Sequence, residues 1–200
     1  MSFHPDMPYG TALWHKSERK LAEEGPAFAF TAENRATLER ICERYPPERR
    51  KSALLPALYL VQDQQGYITR HAMRHVADVI GCTSAEVEDV VSYYVMYFTQ
   101  PVGKYVIQVC RTLSCALLGA GRVTEALSRE LGIGVNETDA AREFTLMEME
   151  CLGACDRAPV VMVNNEFWHE CQQPEAAGQL VAGLRARGLA ALSGCHLKRE

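Results

Sequence analysis

Four of the eight cysteines in this 200-residue chain fall into two close pairs, Cys110-x4-Cys115 and Cys151-x3-Cys155. Each pair follows a run of strand-forming residues, Lys104-Tyr-Val-Ile-Gln-Val109 before the first and Phe144-Thr-Leu-Met-Glu-Met-Glu150 before the second. Loops at strand ends can converge in space, so the four thiolates can enclose one compact soft acceptor. Tetrahedral sulfur sites mean zinc or iron–sulfur. The spacings touch the range of zinc knuckles and do not decide between the two. They also depart from plant-type ferredoxins, in which three cysteines crowd one loop. The surroundings favour iron–sulfur. Cys115 stands where a helix is predicted to begin, which turns backbone N–H groups toward its sulfur. Gly153 permits the positive φ that a loop wrapped around an inorganic core needs.

The run Met149-Glu-Cys-Leu-Gly-Ala-Cys-Asp-Arg-Ala-Pro-Val-Val-Met-Val-Asn-Asn165, taken with Val109-Cys-Arg-Thr-Leu-Ser-Cys115, resembles the thioredoxin-like 2Fe–2S subunit of NADH–quinone oxidoreductase, respiratory complex I. The resemblance spans roughly residues 30 to 190. It implies that Cys110, Cys115, Cys151 and Cys155 ligate one 2Fe–2S cluster, with no departure at a ligand position. It further implies a non-autonomous component of an NADH:quinone oxidoreductase. NADH reduces FMN in a flavoprotein partner subunit, and the cluster here exchanges single electrons with that flavin, beside the main route toward quinone. Other peripheral-arm subunits of the complex are implied as partners. Related subunits in NAD-linked formate dehydrogenases and hydrogenases leave the parent complex open. A zinc-stabilised interaction module is the alternative of another class. A dithiol oxidoreductase is the weakest reading, because Cys-x-x-Cys is missing.

Composition narrows the classes. With 48% hydrophobic and 23% charged residues the chain reads as soluble and globular. A net charge of −4 gives no footprint for nucleic acid. No stretch is long and apolar enough for a bilayer, so no direct membrane insertion is expected, and the first thirty residues lack the layout of a secretory signal. The expected location is a reducing bacterial cytoplasm, peripheral to the inner membrane through the complex, where paired cysteines bind metal rather than form disulfides.

The elements that must position the cysteines follow in order. Residues 1–30 read as an extended arm and 31–100 as a helical bundle. In the bundle, Pro46-Pro47 stops a first helix, a second runs from Leu54 to Gly66, Thr69 caps a third, and Thr83-Ser-Ala-Glu86 is a capping box for a fourth. Residues 104–188 read as a thioredoxin-like 2Fe–2S domain: strand 104–109, helix 116–132, strand 144–150, strand 160–163, turn Asn164-Asn165, strand 167–171 and helix 174–187. Residues 189–200 read as a peripheral tail. The fold class is thus α plus α/β.

Other candidates have plainer readings. Cys42, Cys82 and Cys171 are expected to be small core hydrophobes, and Cys195 with His196 is left out of the site. His71 and His75, four apart on one helix, read as a solvated or partner-facing surface because no acidic third ligand is near. Tyr93, Tyr94, Tyr97 and Phe98 read as a helix-end core, with docking as the functional alternative. Gly119-Ala-Gly121-Arg is too short for a dinucleotide loop, so NADH and FMN are expected only in the partner, and the isolated chain is not expected to oxidise NADH. Arg111 and Arg157 stand close enough to ligands to moderate a cluster's negative charge. The sequence leaves the bond before Pro159 open: X–Pro bonds generally prefer trans, and the thioredoxin-like resemblance raises the chance of cis.

Overall fold

The computed structural model describes residues 22–192, which divide into two compact units, one ending at Pro101 and the other beginning at Val102. The first unit holds helices α1 (Ala32–Cys42), α2 (Leu54–Gln65), α3 (Arg70–Ile80) and α4 (Ser84–Tyr93). Three of the four starts are written in threonines. Thr31 accepts from the Asn34 N–H at 3.1 Å and Thr69 from the Ala72 N–H at 3.2 Å. Thr83 and Glu86 form a reciprocal capping box. Each such cap contributes about 0.5–2 kcal/mol by satisfying donors that helix geometry orphans. Leu38, Leu58, Val61, Val76 and Val87 bury one core between the helices. A 3-10 helix, Pro47–Ala53, joins α1 to α2; its polar run Glu48-Arg-Arg-Lys-Ser52 carries no apolar period that sequence could show.

Two basic residues of this run make ion pairs within the unit. Arg50 holds Glu39 of α1 through two hydrogen bonds of 2.8 and 2.9 Å, and Lys51 pairs with Glu86 at the start of α4. The Arg50 hydrogen bond holds the Glu39 carboxyl below its ordinary range despite some desolvation. Lys51 first, then the N–H and hydroxyl of Thr83, lowers Glu86 to about 2. Depressed carboxylate pKa values add stability above the unfolded value near 4.5 and lose it as pH falls through the folded value. The midpoint of urea unfolding is therefore expected to drop between pH 4.5 and about 2, and to drop less steeply in an E39Q/E86Q double variant. Equal slopes for the two proteins would contradict these assignments.

The aromatic group at the end of α4 divides. Tyr97 is buried and donates its hydroxyl to the Leu55 carbonyl at 2.9 Å, whereas Tyr93 is 78% exposed. Residues 22–30 lie along α3: the Arg70 and His71 N–H groups donate to the Glu23 and Glu24 carbonyls, and His71 Nδ1 lies 2.9 Å from the Gly25 carbonyl. Phe30 N–H donates to His75 Nε2 at 3.3 Å, with the Phe28 and Phe30 rings edge-on to His75. The reading of His71 and His75 as a solvated surface is corrected, because the chain's own segment engages both. Residues 1–21 of the expected arm lie outside the described residues.

The second unit is a five-stranded sheet, β1 (Tyr105–Cys110), β2 (Glu137–Thr138), β3 (Phe144–Met149), β4 (Val161–Val163) and β5 (Phe167–His169), ordered β2-β3-β1-β4-β5. Only β1 and β3 run parallel; the other pairings are antiparallel. Helices α5 (Leu113–Leu117), α6 (Ala120–Leu131) and α7 (Ala177–Arg187) complete it. Tyr105, Ile107, Val109, Phe144, Leu146, Val161 and Val163 meet Val123, Leu127, Val181 and Leu184 of α6 and α7 in one core. All six residues of β1 are buried. Its one buried amide, Gln108, is satisfied by Asn165 of the hairpin turn through bonds of 2.6 and 3.2 Å. Asn164 and Asn165 take φ of 56° and 57°, which Asn tolerates better than other side-chain-bearing residues.

Three expectations change here. The helix expected over 116–132 is two helices, split where Gly119 adopts φ 95°. Strand β5 ends at His169 rather than residue 171, because Cys171 turns at φ 50°. Leu192, expected in a peripheral tail, is 1% exposed in the core, carried there by a 3-10 turn after α7. The Ala158–Pro159 bond, which the sequence leaves open, is cis. The short edge strand β2 was not visible in sequence at all; two residues cannot display a period.

Candidate metal centre

The register of β1 and β3 builds the site. Cys110 closes β1 opposite Met149, the last residue of parallel β3. The chain therefore leaves two adjacent parallel strands at the same edge of the sheet. From one strand end comes Cys110, followed by α5 with Cys115; from the other comes the loop Cys151-Leu-Gly-Ala-Cys155. Arg111 N–H donates to the Met149 carbonyl at 2.9 Å and Cys110 N–H to the Val160 carbonyl at 3.0 Å, which pins both exits.

Cys110 and Cys115 are buried, whereas Cys151 and Cys155 are exposed, so the site has one protein wall and one open side. Cys151 and Cys155 Sγ stand 3.4 Å apart, and the Gly153 N–H donates to Cys151 Sγ at 3.4 Å. Gly153 has φ 83°, a conformation costly for any residue with a Cβ. The Thr112 hydroxyl lies 3.3 Å from Cys110 Sγ. Thr112 is the N-cap residue of α5, so Cys115 sits inside that helix rather than at its start. The expectation that helix-start N–H groups surround Cys115 is corrected: its backbone donor is Val160, from the strand side.

The electrostatics couple the two loops. Burial raises Cys110, but hydrogen bonds from the Thr112 hydroxyl and N–H, the Leu152 N–H and Cys115 outweigh it, and the net direction is down. Burial and the Cys110 thiol push Cys115 up to about 11. The Gly153 N–H, then Cys155, lowers Cys151; Cys155 is raised in turn by Cys151, with the charge of Cys110 adding to it. Within each pair one thiol is lowered and its neighbour raised, as expected of sulfurs packed too closely to ionise together. A cationic core between them removes that conflict. Among the described residues no three His, Cys, Asp or Glu side chains converge tightly enough to hold one metal ion. The donor set, all sulfur with backbone N–H and hydroxyl donors directed at it, fits an iron–sulfur cluster.

Other candidates stay outside. Cys42 and Cys82 lie in the helical unit, where desolvation raises their thiols. Cys171 is exposed rather than a core residue, its N–H bound to the Arg157 carbonyl at 2.7 Å. Cys195 and His196 fall outside the described residues. Arg111 pairs with Glu150 at 2.7 Å, and Arg157 lies 3.6 Å from Asp156 and 3.8 Å from Glu170, so their own carboxylates offset the charge expected to moderate a cluster. Two features were missed in sequence. Trp168 donates its indole N–H to the Leu152 carbonyl at 2.9 Å, a contact across residues with no motif to join them. Leu113, Leu117 and Leu118, beside Cys115, are 75%, 77% and 57% exposed; their position within a helical apolar run concealed their outward side.

Comparison with known proteins agrees with this geometry. The model of the thioredoxin-like [2Fe-2S] ferredoxin family matches residues 38–185, and the chain belongs to that family. It is 43% identical over 167 residues to a subunit of the NADH-quinone oxidoreductase of Mycobacterium tuberculosis, covering 82% of this chain and 65% of that protein. The chain thus spans slightly less than two thirds of the mycobacterial relative's length. It is 42% identical over 149 residues to NADH-quinone oxidoreductase subunit 2 of Thermus thermophilus, covering 74% of this chain and 82% of that one. An NAD+-reducing [NiFe]-hydrogenase in the H2-reduced state shares the fold, with a TM-score of 0.57 at 18% identity over 67% of this chain and 22% of the hydrogenase chain.

Proposed function

We propose that this chain is the one-electron carrier of a flavin-dependent NADH dehydrogenase module in an NADH–quinone oxidoreductase, with Cys110, Cys115, Cys151 and Cys155 holding one 2Fe–2S cluster. The observation that carries the reading is the parallel β1–β3 register, which delivers both cysteine loops to one sheet edge. The relatives' names supply the module, and the family supplies the cluster type. When bound, the cluster supplies reversible uptake of a single electron. The chain's own residues do the rest: Thr112, Leu152, Val160 and Gly153 direct donors at the sulfurs, and the β-sheet core excludes water from the Cys110–Cys115 side.

Partners follow from this division of labour. NADH and FMN belong to a flavoprotein subunit, other peripheral-arm subunits complete the complex, and the helical bundle is a further docking body. No described helix is long and apolar enough to cross a membrane, and attachment at the bacterial inner membrane through the complex fits the reading. Leu113, Leu117 and Leu118 place an apolar face next to the buried cysteine pair, and we assign this face to docking of the electron donor. An L117E/L118E variant is expected to keep dithionite-driven reduction while NADH-driven reduction, measured with the flavoprotein partner added, falls at least about tenfold, since a desolvated charge pair at such a contact costs more than about 1.4 kcal/mol. Unchanged NADH-driven reduction would remove this face from the docking surface. NADH oxidation by the flavin-free chain alone would refute the division of labour.

A further inference from the structure

We propose that Trp168 is a positioning residue that tunes the electron affinity of the cluster through a hydrogen-bond chain ending on the Cys151 sulfur; this rests on the ligand assignment above. The Trp168 indole N–H donates to the Leu152 carbonyl at 2.9 Å. That carbonyl and the Gly153 N–H are the two ends of one peptide group, and the Gly153 N–H donates to Cys151 Sγ at 3.4 Å. A donor on the carbonyl end draws electron density along the amide and makes the N–H a stronger donor. The same indole fixes the orientation of the peptide, because Gly153, at φ 83°, has no side chain to pack and no atom beyond its chain neighbours lies within 4 Å of where a Cβ would be. Trp168 is itself held by the sheet: it pairs with Met162 in β4, whose neighbour Val161 pairs with Val109, next to Cys110. The hairpin therefore transmits a fixed position from the strand that carries one cysteine pair to the loop that carries the other.

Reduction adds one negative charge shared with the sulfurs, so a stronger N–H···S bond favours the reduced cluster. Removing the indole donor makes reduction less favourable by a fraction of one hydrogen bond, about threefold in the equilibrium constant, which is about 28 mV for one electron. The experiment is a paramagnetic-resonance-monitored redox titration of the full-length loaded chain, with iron content measured alongside. Three proteins are compared: wild type, Trp168→Phe, and the chain with Trp168 replaced by its benzothiophene isostere, in which sulfur stands in place of the indole N–H. The expected result is a potential about 28 mV lower in both variants at wild-type iron content. If Phe loses the cluster, the isostere alone decides, since it keeps the ring shape. Wild-type potential in the isostere overturns the proposal and leaves the cluster assignment standing. Absence of a reduced-cluster signal in wild type overturns both.

Discussion

Cys110→Ala is expected to leave the chain without its cluster. Cys110 and Cys115 are buried against the core, so no water can reach the vacated coordination position from that side. Removing either leaves the remaining thiolates to hold an incompletely ligated core in an apolar wall. Cys151 and Cys155 face solvent, where water can stand in for a lost sulfur, so Cys151→Ala and Cys155→Ala are expected to retain a residual, spectrally altered cluster. Cys42→Ala and Cys82→Ala should load as wild type, since both lie in the other compact unit. Iron content and visible absorption of the anaerobically purified variants give the ranking. Full loading of Cys110→Ala and Cys115→Ala would exclude them as ligands.

The second large effect is expected at Gly153. A Cβ there meets nothing within 4 Å, so space is not the obstacle; φ 83° is. A side chain in that region costs about 1–2 kcal/mol, and a β-branched one is least able to relax. Relaxation toward negative φ rotates the Gly153 N–H off Cys151 and pulls Cys151 and Cys155 from their 3.4 Å spacing. Gly153→Val should therefore lose most of its iron, Gly153→Ala less, and Gly153→Asn least, because Asn visits the left-handed region most readily. The capping box and core of the helical unit are remote from this loop in sequence and belong to the other compact unit, so its thermal unfolding should not change. Equal iron in all three variants would show that the loop tolerates ordinary backbone.

Local chemistry made some of this legible. Thr83 and Glu86 announce a helix start because the capping box lies within four residues, and the cysteine pairs announce a sulfur site because each pair lies within six. What sequence concealed was mostly non-local. His71 and His75 looked solvent-facing because their partners, the Gly25 carbonyl and the Phe30 N–H, lie 46 and 45 residues away. Trp168 looked like a strand aromatic until its indole was placed on Leu152. Leu192 looked like tail because burial against α7 depends on a turn, not on a period. The helix break was in principle readable at Gly119, but Ala116 to Leu131 is otherwise a continuous helical pattern, and one glycine does not show its φ.

The most direct test of the central claim is the metal and sulfide content of the intact chain purified without oxygen. The account predicts about two irons and about two acid-labile sulfides per chain, a brown colour, and a half-integer-spin paramagnetic signal after reduction with dithionite. A colourless protein carrying about one zinc and no sulfide would contradict it and make the two cysteine loops a structural clasp.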